Sequence, residues 1–413
     1  MSIDLEELYR DLHANPELSF QEVRTAEIAA GHLVDLGFKV HRNVGKTGVV
    51  GVLENGPGPV VLLRADMDAL PVKEATGLDY ASEVIGVDHE GREVPVMHAC
   101  GHDVHVTCLV GAVEILAARH EEWQGTLIAV FQPAEEWGGG AQTMVAGGLY
   151  DLVPKPDVVL GQHVAPFPAG WFGIRPGVLM ASADSLSITL HGKGGHGSRP
   201  ETAVDPVLLA AAATIRLQGI VSRELAPSDA AVVTVGQIHS GTKNNIIPET
   251  ASLGLSIRSF SNATRDKILG SIERIVRSEA TASNAPIEPE FHYEEHLPLT
   301  VNDEAAAAKI TSAFQQKFGP GKVINPGAVS ASEDVGMLAQ AAGAPLVFWF
   351  LGGADPSLPS FKEWAESGNM PEDIPSNHSP YFAPSIQPTL SLGTEALVTA
   401  ARAYLGGSAA KDH

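Results

Sequence analysis

At 413 residues the chain is longer than one ordinary core can organise, so two domains are expected. Its apolar share of 44% supports a packed globule, and its formal charge of -22 excludes nonspecific binding to nucleic acid or an anionic membrane, which needs clustered Lys and Arg. Any acidic substrate must meet a locally placed cation. No apolar run approaches the roughly 18 residues of a membrane span, and Met1-Ser2-Ile3-Asp4, with neither a basic nor an apolar stretch, gives no expectation of a secretory signal. Two cysteines, Cys100 and Cys108, cannot form a disulfide scaffold, so a cytoplasmic location is expected.

Leucines at 5, 8 and 12 predict a helix over 4–13 that Asn15-Pro16 ends, and a second helix runs over 25–36 to Gly37. Short strands follow at 48–53 and 60–63, the latter running into Arg64-Ala65-Asp66-Met67-Asp68. The densest stretch is Met97-His98-Ala99-Cys100-Gly101-His102-Asp103-Val104-His105, with three histidines, a cysteine and an aspartate in nine residues. Such a set is costly to bury unless something pairs with it. In an extended segment Cys100 and His102 point the same way, with Gly101 allowing close approach to whatever they hold, and the expected partner is a metal. A helix over 104–119 follows, with Asp103 placed to cap it, and the helix dipole and a cation together are expected to favour the thiolate and lower the Cys100 pKa. A strand at 125–131 ends in Gln132-Pro133-Ala134-Glu135-Glu136, and another at 158–160 ends in Gly161-Gln162-His163. Strands alternating with helices predict a mixed, mostly parallel α/β sheet whose strand ends deliver Asp66/Asp68, Cys100/His102, Glu135/Glu136 and His163 to one edge.

The pattern changes near residue 183. Strands at 185–190, 231–238, 252–258 and 288–294, with helices at 205–218 and 264–279, follow the β-α-β-β-α-β order of a ferredoxin-like unit. The α/β pattern resumes with helices at 303–317 and 334–340, a buried strand at 345–351, the loop Asn377-His378-Ser379-Pro380 and a last helix over 387–405. The expected organisation is a discontinuous catalytic domain, 1–182 plus 297–413, with 183–296 inserted as a lid or dimerisation domain whose edge strand can join another copy. Gly192-Lys193-Gly194-Gly195-His196-Gly197-Ser198 lacks the order of a phosphate loop.

Several motifs together carry a resemblance. They are His13-Ala14-Asn15-Pro16-Glu17-Leu18-Ser19, Arg64 to Pro71, Glu74-Ala75-Thr76-Gly77-Leu78, Met97 to Asp103, Pro133-Ala134-Glu135-Glu136, Gly194-Gly195-His196-Gly197, Ser332-Glu333-Asp334 and Asn377-His378-Ser379-Pro380. In these the chain resembles the aminoacylase, hippurate hydrolase and auxin-conjugate hydrolase subgroup of the two-metal carboxypeptidase-like amidohydrolases. The resemblance implies two divalent metal ions per subunit bridged by Cys100, with Glu136 and His378 completing one site and His102 and His163 the other. Zinc or manganese suits these donors, and cobalt or nickel is also accepted. It implies Glu135 as general base, Asp68 orienting a metal-bound histidine, and His196 polarising the scissile carbonyl in the active site of a dimer partner. Asn245 and Arg258 are candidates for binding the substrate carboxylate. The wider family has a histidine where this chain has Asp66 and a bridging aspartate where it has Cys100. The activity implied is hydrolysis of N-acyl-L-amino acids; a dipeptidase or carboxypeptidase is the alternative, and an inactive metal-binding scaffold a remoter one.

Overall fold

The computed structural model describes residues 3–361, 371 and 373–407. Contacts divide the chain into two compact units, Met1–Leu179 with Val301–Gly327 and Asp334–His413, and Met180–Thr300 with Ala328–Glu333.

The first unit is built on a mixed sheet. Its order is Lys39–Val44, Gly48–Asn55, Trp123–Gln132, Val60–Asp66, Val158–Pro168, Leu346–Ala354, Phe172–Gly173 and Val323–Ile324. The four central strands run parallel, so their carboxyl ends share one edge. Val60–Asp66 and Trp123–Gln132 are nearly continuous apolar runs because helices leave them no solvated face. The His102–Ala118 helix is buried on almost every side between the sheet and the Ile386–Tyr404 helix, which explains why its apolar residues form no single stripe. Lys39–Val44 was not expected. It is a largely exposed edge strand paired antiparallel with Gly48–Asn55, and its charged residues give it no apolar alternation.

The second unit is a four-stranded antiparallel sheet in the order Ala231–Ser240, Thr250–Ser259, Ser182–His191 and Glu290–Leu297, the ferredoxin-like arrangement. Pro206–Leu217 and Asn262–Ala282 bury Leu209, Ala213, Ile268 and Ile272 against Leu186, Ile188 and Leu190. Both helices start on side-chain caps: Asp205 accepts from the Val207 and Leu208 N–H groups, and Ser261 from Thr264.

A buried ion cluster ties the first unit's strands together. Arg64 donates to Asp66 (2.6 Å), Asp334 (3.1 Å) and the side-chain amide oxygen of Gln132 (2.9 Å), with the side chains of both aspartates and of Arg64 fully buried. Replacing Arg64 with methionine strands two carboxylates, so it is expected to cost about 3–5 kcal/mol in urea unfolding. A change within about 1 kcal/mol would show that the cluster is not needed for stability.

Candidate metal centre

The site is assembled where the parallel strands end. Gly101, at φ +82, caps the His102–Ala118 helix, and a Cβ there would meet Val164 Cγ1 at 2.3 Å. Glycine is therefore required for the chain to bring Cys100 Sγ to 3.4 Å from His163 Nε2. One expectation is corrected here. Asp103 lies inside the helix rather than at its cap, accepting from Val104 N–H and from His13. The protein's own groups push the Cys100 thiol up, through burial first and then through Glu136 and Glu135, so the helix dipole alone does not favour the thiolate and a cation's charge is needed for it.

His163 donates from Nδ1 to the Val164 carbonyl (2.8 Å), which turns the lone pair of Nε2 toward Cys100. Burial, then the neighbouring His105, holds its pKa well below the usual value, so the ring is neutral. His102 places Nδ1 at 3.3 Å from Asp68 Oδ1, and Nε2 at 3.6 Å from Asp66 Oδ2 and 3.8 Å from Glu136 Oε1. The same Glu136 oxygen lies 3.4 Å from His378 Nε2. The late loop is anchored by Asn377, whose amide donates to the Cys100 and Val164 carbonyls at 3.1 Å each, and by His378 N–H, which donates to Ala99 at 2.8 Å. One ligand atom each from Cys100, Glu136 and His378 lie within 4.8 Å of one another, as do those of Asp66, His102, His105 and His163 and those of His102, Glu135 and Glu136.

These donors fit divalent cations. Both ring nitrogens of His102 and Oε1 of Glu136 are buried without a hydrogen-bond partner, although ion-pair distances surround them. Burial works against a charged His102, yet Asp66, Asp68 and Glu136 raise its pKa to about 10. A raised imidazole and a raised thiol in one dry pocket are what an excess of carboxylates produces when protons stand in for cations.

Asp68 does more than face His102. Its Oδ1 accepts from Glu135 N–H (3.1 Å), and its Oδ2 from Glu136 N–H (3.0 Å) and the Ser19 hydroxyl (2.7 Å). Asp66 is held by Arg64 and by His105, which gives its Nδ1 proton to Asp66 while its Nε2 accepts from Val164 N–H at 2.8 Å. Burial opposes ionisation of Asp66, but Arg64, His102 and His105 keep it well below the usual carboxylate range. Sequence reasoning left His105 and Asn377 without a role. The position of His105, three residues after His102 on one helix face, was the available signal.

Of the remaining predicted residues, the second unit brings two together. His196 sits on a short ladder, Gly195–His196 against Ile246–Ile247, and Gly197 N–H donates to the Asn245 carbonyl at 2.8 Å. Both side chains are exposed. Ser198 N–H donates to His196 Nδ1 at 3.1 Å, so in the neutral ring Nε2 carries the proton. Arg258, on Thr250–Ser259, donates to the Ser332 hydroxyl, which itself donates to the Ala181 carbonyl at 2.8 Å.

A mostly parallel α/β sheet with thiol, imidazole and carboxylate donors gathered at its carboxyl edge, together with an inserted α+β unit, defines a metal-dependent hydrolase. Residues 62–375 match Peptidase family M20/M25/M40, and the chain belongs to that family. It is 39% identical to a hippurate hydrolase of Campylobacter jejuni over 82% of this chain and 85% of that protein. It is 38% identical to thermostable carboxypeptidase 2 of Saccharolobus solfataricus over 84% and 85%. The solved structure of the Bacillus subtilis YXEP protein, described as a dinuclear metal binding peptidase from the M20 family, superposes with a TM-score of 0.76 at 28% identity, covering 96% of each chain.

Behind the site, His13 bridges Asp103 (2.6 Å) and Glu74 (3.1 Å) in a buried pocket. Burial opposes its charge, but the two carboxylates raise its pKa to about 9. A raised histidine stabilises the fold fully below its ordinary pKa of about 6.5, and that stabilisation is lost as pH rises through about 9. At fixed metal concentration, the stability gap between the parent and His13→Gln is therefore expected to narrow from pH 6 to pH 10. A gap that widens or stays constant would contradict a charged His13.

Proposed function

We propose that this enzyme hydrolyses the amide bond of N-acyl-L-amino acids, releasing a carboxylate and a free amino acid. The observation that carries this reading is the convergence of Cys100, His102, Glu136, His163 and His378 beside Glu135, in a chain 39% identical to a hippurate hydrolase. On this reading Cys100, Glu136 and His378 would hold one cation, and Cys100, His102 and His163 the other. When bound, cations of the zinc or manganese type, or cobalt or nickel, supply the Lewis-acid charge that makes a water nucleophilic and balances the oxyanion.

The side chains do the rest. Asp68 holds the Glu135 and Glu136 amides, so the two carboxylates leave the turn in fixed directions. Glu135 takes the proton of the attacking water and passes it to the leaving amine as the carbon–nitrogen bond breaks. His196, with its proton on Nε2, donates to the scissile carbonyl in the active site of a second copy. Asn245 and Arg258 bind the substrate carboxylate.

A homodimer through the second unit is supported by the open edge of Ala231–Ser240 and by exposed Val232, Ile238, Leu208 and Ile215. A cytoplasmic location is supported by two unpaired, buried cysteines. The second reading, a carboxypeptidase using the same centre, draws on the 38% identity to thermostable carboxypeptidase 2.

Glu135→Gln is expected to retain both metals and the parent's melting behaviour while kcat falls about 10²–10⁴-fold. The parent's rate in that variant would remove Glu135 as the base. On metal-loaded enzyme, higher kcat/KM for acetyl- and benzoyl-amino acids than for peptides is the expected ranking. The reverse order would favour the carboxypeptidase.

A further inference from the structure

Behind the turn that carries Glu135 lies a carboxylate to which the hydrolytic reading gives no task. Glu22, the residue before the Val23–Asp35 helix, is fully buried. Its Oε1 accepts from the N–H groups of Phe20 and Ala134, each at 2.8 Å, and its Oε2 from the Thr47 hydroxyl. These three donors are all neutral. Burial, with the Asp68 charge nearby, pushes its pKa up to about 7, so keeping a carboxyl here is costly and calls for a compensating use.

The Ala134 contact supplies one. Ala134 directly precedes Glu135 and sits at φ +50, in the left-handed region that non-glycine residues disfavour. Its N–H is held by Glu22, and its carbonyl accepts from Gly140 N–H at 3.1 Å. The packing is close enough that a Cβ on Gly140 would meet the Pro133 carbonyl oxygen at 1.6 Å. The next two N–H groups, of Glu135 and Glu136, go to Asp68, which Ser19 also binds. One short run, Ser19 to Glu22, thus secures both supports of the turn: Ser19 steadies Asp68, and Glu22 fixes Ala134.

We propose that Glu22 is a positioning residue for hydrolysis, holding Ala134 in its left-handed conformation so that Glu135 leaves the turn aimed at the attacking water. The inference rests on Glu135 being the base. It requires an oxygen at the reach of a glutamate, not a negative charge. Aspartate is one methylene shorter, about 1.5 Å, and cannot span to Ala134 N–H. Glutamine keeps one oxygen for Ala134 and Phe20 and can turn its amide nitrogen to the Thr47 hydroxyl.

The test compares Glu22→Asp and Glu22→Gln in full-length, metal-loaded enzyme, by steady-state kinetics on an N-acyl amino acid and by amide hydrogen exchange over 131–138. A base displaced by about 1 Å costs on the order of 10²-fold, so Glu22→Asp is expected to lose about that much kcat with KM within about twofold, and to exchange faster at Ala134. Glu22→Gln is expected to keep kcat within about threefold of the parent and to keep the slow exchange. Parental kcat in Glu22→Asp, or Glu22→Gln as impaired as Glu22→Asp, would overturn the proposal. If Glu135→Gln keeps the parental rate, the base assignment falls and aiming by Glu22 falls with it. If instead the parent cleaves no N-acyl amino acid, the substrate reading fails, and exchange judges the clamp alone: faster only in Glu22→Asp sustains it, and equal in all three overturns it.

Discussion

Everything at this centre follows from too much potential negative charge in too little water. Asp66, Asp68, Glu135 and Cys100 are all buried, and Glu136 and His378 approach the same point. Ionised carboxylates and a thiolate cannot share a dry pocket unless positive charge accompanies them. Among the described residues one buried guanidinium lies there, Arg64, and Asp66 and Asp334 already share it. The rest of the deficit is written in the side chains themselves, a thiol pushed up and an imidazole raised to about 10. Divalent cations held by these donors would resolve that deficit and would supply Lewis-acid charge for hydrolysis.

The fold contributes geometry more than chemistry. Four parallel strands end together, so residues distant in sequence arrive at one edge without long loops. The fine placement comes from backbone features: Gly101 lets the sulfur approach His163, Asn377 ties the late loop to Cys100, and the left-handed Ala134 sets the direction of the glutamate turn. His105, by donating to Asp66, and Asp68, by accepting from the Glu135 and Glu136 N–H groups, fix what the strands deliver.

The helices and central strands were legible because apolar stripes and continuous apolar runs have no other stable use, as with Leu5–Ala14 and Val60–Asp66. The density of ionisable groups around Cys100 was legible for the same reason, since burying them unpaired is prohibitive. Other features left no mark. Lys39–Val44 is a polar edge strand, stabilised by its neighbour instead of by its own pattern. The helix begins at His102 because a left-handed glycine can cap it, and the preference of aspartate for caps pointed two residues too far along. The Cys100 shift is set first by burial and then by Glu136 and Glu135, which come close to it only in the folded chain. Glu22 and Ala134 lie 112 positions apart, and a single hydrogen bond to a backbone amide has no periodicity to betray it.

The central claim is that the five donors Cys100, His102, Glu136, His163 and His378 grip two cations around one sulfur. Anomalous diffraction from crystals of the zinc- or manganese-loaded protein tests this most directly. The account predicts two peaks per chain that share Cys100 as a ligand, one also contacting Glu136 and His378 and the other His102 and His163. A single peak, or two peaks with Cys100 outside bonding distance of both, would contradict it.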